Sequence, residues 1–134
     1  MAESVLNNPA VEVLRGHRTI RRFEDRELPE GLLEELIECG QRASTSSNMQ
    51  TYSVIHITDP DKRAQVAKLA ADQVQIHQCS AFLVFCADLH RDHLANAMHN
   101  ADRSDGDYVE ALLVATVDAA LLMQNVAVAA ESAG

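Results

Sequence analysis

"DYVEALLVATVDAALLMQNVAVAAESA", residues 107–133, decides the fold. The stretch is rich in Ala, Leu and Val and reads as one long helix. At about 1.5 Å per residue it spans about 40 Å. Leu112, Leu113, Val114, Val117, Leu121, Leu122, Met123, Val126 and Val128 place apolar side chains nearly all round it. A helix that is apolar on every side must be covered on every side. The remaining residues, with few strands and short helices, are too few to do so. The chain is therefore expected to pair with a second copy through this helix, or to expose a large apolar patch. Gln124 and Asn125 then need partners inside that interface, because unpaired buried amides are costly. The apolar region 111–130 is interrupted by Thr116, Asp118, Gln124 and Asn125, which makes it a poor membrane span.

Outward from that helix, shorter elements follow from local signals. Asn8 caps a helix with Pro9 in its first turn, and Gly16 ends it. Residues 17–23 read as an extended link. Pro29 and Glu30 open a second helix that ends near Ala43. Its Leu32, Leu33, Leu36, Ile37 and Gly40 share one face, with Glu34, Glu35 and Glu38 away from it. "STSSNMQ" (44–50) is a hydroxyl-rich loop. "YSVIHIT" (52–58) alternates like a strand. Asp59 and Pro60 start a third helix that runs to about Ala70. "FLVFCA" (82–87) reads as a central strand buried on both faces. A short helix is expected over 89–98, and an acidic loop over 100–107. Long helices thus alternate with only two clear strands, an α+β arrangement short of strands.

The chain has 134 residues, one domain at most. Its net charge of −9 opposes general binding to nucleic acid or anionic membrane. Cys39, Cys79 and Cys86 form no CxxC and sit in apolar contexts, as reduced thiols in a cytoplasmic protein do. "MAESVLNNPAVEVL" has no basic region ahead of an apolar run, so no secretory signal is expected.

Against this acidic background "RGHRTIRRF" (15–23) carries four of the chain's eleven Lys and Arg residues. Guanidinium forks match phosphate oxygens, and two or three of these side chains can reach one phosphate. The competing reading is a solvated basic patch neutralised by Glu24, Asp25 and Glu27. The loop 44–50 offers neutral donors suited to a ribityl chain, a ribose or a phosphate edge. It reads equally as an ordinary turn segment. His90, His93 and His99 have no HExxH spacing and no well-placed Cys or Glu, so a solvated helix face is expected and no metal site. No GxGxxG, P-loop, GxSxG or nucleophile–base pair occurs. Any redox or transfer chemistry is therefore a cofactor's, and no catalytic side chain is assigned.

"GHRTIRRFEDREL", "GQRASTSSNMQTYSVIHITDPDKR" and "FLVFCADLHR" together resemble the FMN-dependent nitroreductase/flavin reductase family, in its NADPH-dependent, oxygen-insensitive branch. The resemblance runs in order along essentially the whole chain. It implies a single nitroreductase-like domain over residues 1–134: a mixed sheet flanked by helices, with the long helix at the centre of a homodimer. It implies FMN as cofactor, NADPH as reductant, and quinone, nitroaromatic or flavin acceptors as small-molecule partners. It places His17, Arg18, Thr19 and Arg21 on the flavin. It places Thr45 and Ser46, with Asn48 less firmly, on the flavin of the neighbouring subunit, and Gln73 against the flavin ring. Thr19 stands where many members have Ser, and Ser44 where many have Pro. Relatives also run on into a Gly-rich segment and further strands, so the sequence reads as the N-terminal portion of such a domain. A non-catalytic flavin- or nucleotide-binding fragment and a ligand-free dimerisation module are the alternatives.

Overall fold

The computed structural model describes residues 6, 8–101 and 108–134. The part of the expected acidic loop over 102–107 lies outside the described residues.

Helix α1, Pro9–Gly16, starts where Asn8 accepts the Val11 N–H on its side chain at 3.1 Å. Helix α2 covers Leu32–Gln41. It begins later than Pro29 because Gly31, at φ 81°, turns the chain into it. A 3-10 turn occupies Ser46–Asn48 within the hydroxyl loop. Strand β1 is Tyr52–His56. Helix α3, Pro60–Leu69, is capped by Asp59, which accepts the Asp61 and Lys62 N–H groups. Helix α4, Val74–Gln78, was not foreseen from the sequence. Strand β2 is Leu83–Ala87, helix α5 Leu89–Met98, and helix α6 Val109–Ser132.

β1 and β2 pair antiparallel, with Tyr52 opposite Ala87, Val54 opposite Phe85 and His56 opposite Leu83. Among the described residues the sheet has two strands, and β2 has β1 as its one neighbour rather than the strand on each side that its apolar run suggested. Its apolar residues are half-buried rather than enclosed on both faces. Tyr52, Val54, Leu83 and Phe85 lean on Leu36 of α2 and on Ala119, Leu122 and Val126 of α6. That layer is the core, and α6 is its shared wall. Gly40 lets α2 approach α6 closely: a Cβ there would lie 2.6 Å from Val126 Cγ2.

Only one stripe of α6 is covered. Ala115, Asp118, Ala119, Leu122 and Val126 are buried, whereas Leu112, Leu113, Val117, Leu121 and Met123 are exposed. By length and composition alone α6 is apolar enough to cross a bilayer. Asp118, the most buried charged residue among those described, is instead tied into the loop described next. Gln124 is exposed, while the Asn125 side-chain amide reaches the Cys39 carbonyl over a long 3.4 Å.

Candidate functional site

The basic arm leaves α1 at His17. Its imidazole Nδ1 meets both carboxylate oxygens of Glu131, at 2.9 and 3.1 Å. This pair ties the start of the arm to the last turn of α6. Between them lies a cleft of about 650 Å³, walled by Val13, Arg18, Ile20 and Phe23 on one side and by Ala130 and Glu131 on the other. Arg18, Thr19, Arg21 and Arg22 are all exposed. Among the described residues, Arg26 takes Glu24 at 3.5 Å, and no carboxylate pairs with Arg18, Arg21 or Arg22. Local acidic side chains therefore leave these three guanidinium groups un-neutralised. Each keeps its planar fork of donors available to an anion.

The hydroxyl loop is built differently. Ser47 sits at φ 49°, Asn48 at φ 56° and Gln50 at φ 55°. Left-handed backbone costs an L-residue about 1 kcal/mol or more, least for Asn. Asp118, 1% exposed, compensates from beneath. Its Oδ1 accepts the Ser46 N–H at 3.1 Å. Its Oδ2 accepts the Thr51 hydroxyl at 3.1 Å and the Thr51 N–H at 3.4 Å. A buried carboxylate is tolerated only with donors of this kind around it. Thr45 is half-buried, and Ser46, Ser47 and Asn48 are exposed. The Ser46 amide is thus turned inward, and its side chain lies at the surface.

Gln73 occupies the exposed turn before α4. Its side-chain amide donates to the Ala70 carbonyl at 3.1 Å, and its Oε1 accepts from Gln75. On α5, the His90 and His93 rings stand edge to face with centroids 6.4 Å apart. Among the described residues no three His, Cys, Asp or Glu side chains gather as metal ligands would. Asp88 is a structural group. It accepts the Ser53 hydroxyl and caps α5 through the His90 and Arg91 N–H groups. The Ser53 hydrogen bond, then the two backbone bonds, hold its carboxyl below the usual range against the opposing effect of burial.

Arm and loop are anchored at different places. Asp118 and Glu131 are about 20 Å apart along α6 and about 140° apart around it. In the arc of α6 between the two anchor directions, Leu113, Val117 and Leu121 form an exposed apolar stripe that starts ahead of Asp118 in the helix. One chain therefore presents two separate polar segments flanking one apolar surface. Sequence reasoning assigned no role to either anchor. Asp118 stood out only as a charge interrupting an apolar helix.

The family model described as the Nitroreductase family matches residues 14–134. The chain is similar to the FMN reductase (NADPH) of Bacillus subtilis, at 36% identity over 95% of this chain and 51% of that protein. It is similar to the NADPH-flavin oxidoreductase of Vibrio harveyi, at 35% identity over 95% of this chain and 51% of that protein. Among solved structures, B. megaterium NfrA2 superposes with a TM-score of 0.91 at 34% identity, over 96% of this chain and 52% of its own. The chain thus spans about half the length of the curated relatives it matches. The family model covers most of the α1–α6 order described above, and this chain belongs to the Nitroreductase family.

Proposed function

We propose that residues 1–134 act as one unit of an FMN-dependent oxidoreductase domain that uses NADPH to reduce small-molecule acceptors of the nitroaromatic, quinone or flavin class. When bound, FMN would supply hydride-transfer chemistry between NADPH and the acceptor. The chain's own residues bind and orient. Arg18 and Arg21 hold the phosphate, and Thr19 adds a hydroxyl beside them. His17, fixed by Glu131, sets where the arm leaves α1. Thr45 and Ser46 serve the flavin held by a second copy, because the loop is anchored well away from the same chain's arm. Gln73 reaches the ring by giving up its bond to the Ala70 carbonyl. The homodimer closes over Leu113, Val117 and Leu121, which removes apolar surface from water. The names of the Bacillus and Vibrio relatives favour NADPH as reductant. The free thiols of Cys39, Cys79 and Cys86 suit a cytoplasmic location.

The observation that carries this reading is the set of three exposed arginines without a carboxylate partner among the described residues, in a chain of net charge −9. A ligand-free dimerisation module gives them no work. The test is spectroscopic. The purified protein, loaded with FMN and desalted, is expected to keep the flavin visible band and to bleach when NADPH is added without oxygen. Loss of all flavin on desalting, at micromolar protein, overturns the proposal.

A further inference from the structure

We infer that Asp118 is the positioning residue of the hydroxyl loop. Its buried carboxylate ties Ser46 to Thr51 and holds Ser47, Asn48 and Gln50 between them in their left-handed conformation, which keeps the Ser46 and Ser47 side chains at the surface for a ligand. The ligand half of this inference rests on the function proposed above; the conformational half does not.

Three observations converge on it. Asp118 sits in the apolar stripe of α6, between Ala115, Ala119 and Leu122, where an aliphatic side chain would pack at no electrostatic cost. Nothing in α6 uses the carboxylate: its three donors all come from the loop and its following residue, 67 to 72 positions away in sequence. Those donors bracket residues 47–50, with Ser46 just before them and Thr51 just after. The enclosed Ser47, Asn48 and Gln50 all have positive φ. L-residues hold that conformation only where their surroundings over-determine it. Thr51 is itself fully buried, so the far end of the staple is fixed in the core. The Ser46 and Thr51 amides are consumed inward, and a ligand meets the loop through side chains such as the exposed Ser46 and Ser47.

The test compares Asp118→Asn with Leu122→Ala in the full chain. Leu122 is buried one turn along α6 and takes no part in the loop. Its truncation lowers global stability alone. Amide hydrogen exchange is followed at residues 45–51 against the core of α6. Local opening is expected to speed exchange in the loop by about tenfold or more in Asp118→Asn, beyond any change in the core. Leu122→Ala should speed loop and core together. Thr51→Val, which keeps the shape and removes one donor, should shift the loop in the same direction by less. FMN affinity, measured by flavin fluorescence quenching, should fall about tenfold in Asp118→Asn. Loop exchange in Asp118→Asn and Thr51→Val that merely follows the core, as in Leu122→Ala, overturns the inference. A loosened loop with unchanged FMN affinity overturns its ligand half. If the parent itself takes no FMN, the proposed function fails, and the exchange data still decide what Asp118 does.

Discussion

Gly40→Ala puts the packing of α2 on α6 under direct strain. In an exposed helix interior this substitution stabilises by up to about 1 kcal/mol, because Gly is the poorer helix former. Here the sign reverses. The added Cβ falls 2.6 Å from Val126 Cγ2, 3.3 Å from Leu122 Cγ and 3.4 Å from the Leu122 carbonyl oxygen. Carbon atoms rest at about 3.5–4.0 Å, so Val126 has to retreat by about 1 Å. Val is held near one rotamer in a helix, and rotation gives no relief. Leu122, fully buried, crowds the added Cβ from the next turn of α6 as well. The helices must separate, and overpacking of this kind costs about 1–3 kcal/mol. Set against the propensity gain, a net loss of about 1–2 kcal/mol follows, or roughly 3–8 °C in the unfolding midpoint of a chain this size. Thermal unfolding followed by far-UV circular dichroism measures it. Gly16→Ala is the control, since nothing lies within 4 Å of that position, and it should be neutral or slightly stabilising. A Gly40→Ala protein melting at or above the parent would refute the close approach of α2 and α6.

Replacing Arg18 and Arg21 together by Ala should weaken FMN by a factor of about 10 to 100, about 1.5–3 kcal/mol, in a fluorescence titration. Ser53→Ala removes the largest influence holding the Asp88 carboxyl down, so its NMR titration midpoint should rise toward the ordinary range. With a lowered folded value, Asp88 adds stability above its unfolded pKa of about 3.9, and that stability is lost as pH falls through the folded value. Ser53→Ala should therefore flatten the stability profile at the acid end, and an unmoved midpoint would count against the bond. Val117→Asp places a charge on the exposed apolar face of α6. Sedimentation should show self-association weakened at least about tenfold with the fold retained, because a charge buried in an interface without a partner is costly.

The elements set by short-range chemistry were legible in the sequence. Asn8 with Pro9, and Asp59 with Pro60, cap their helices as the residue types dictate. The apolar length of α6 and the two strands were equally readable. Helix α4 was not, because five residues, VQIHQ, are too few to show a period. The apolar run of β2 suggested burial on both faces, but only one face meets the core here. The arginine arm was visible by charge alone. What holds the arm and the loop was not: Glu131 meets His17 of the arm across 114 positions, and Asp118 reaches Ser46 of the loop across 72. No spacing rule connects residues so distant. The only local sign of Asp118 was a charge among aliphatic neighbours, a cost that points to a partner without naming it. Gln73 showed the reverse. The family resemblance alone places it against the flavin ring, and in the structure its side chain bonds to Ala70 and Gln75.

The central claim is that FMN is held between the arm of one copy and the loop of another. Two variants test it together: an arm variant, Arg18→Ala with Arg21→Ala, and a loop variant, Thr45→Ala with Ser46→Ala. Each alone should retain little flavin after desalting. A mixed dimer has one site with both damaged segments and one with both intact segments. After subunit exchange at equal amounts, about a quarter of the parental flavin content should therefore return, since random pairing makes half the dimers mixed. Flavin absorbance of the desalted mixture reads this directly. Recovery near a quarter is the predicted result. No recovery above the separate variants would contradict a site shared between two copies.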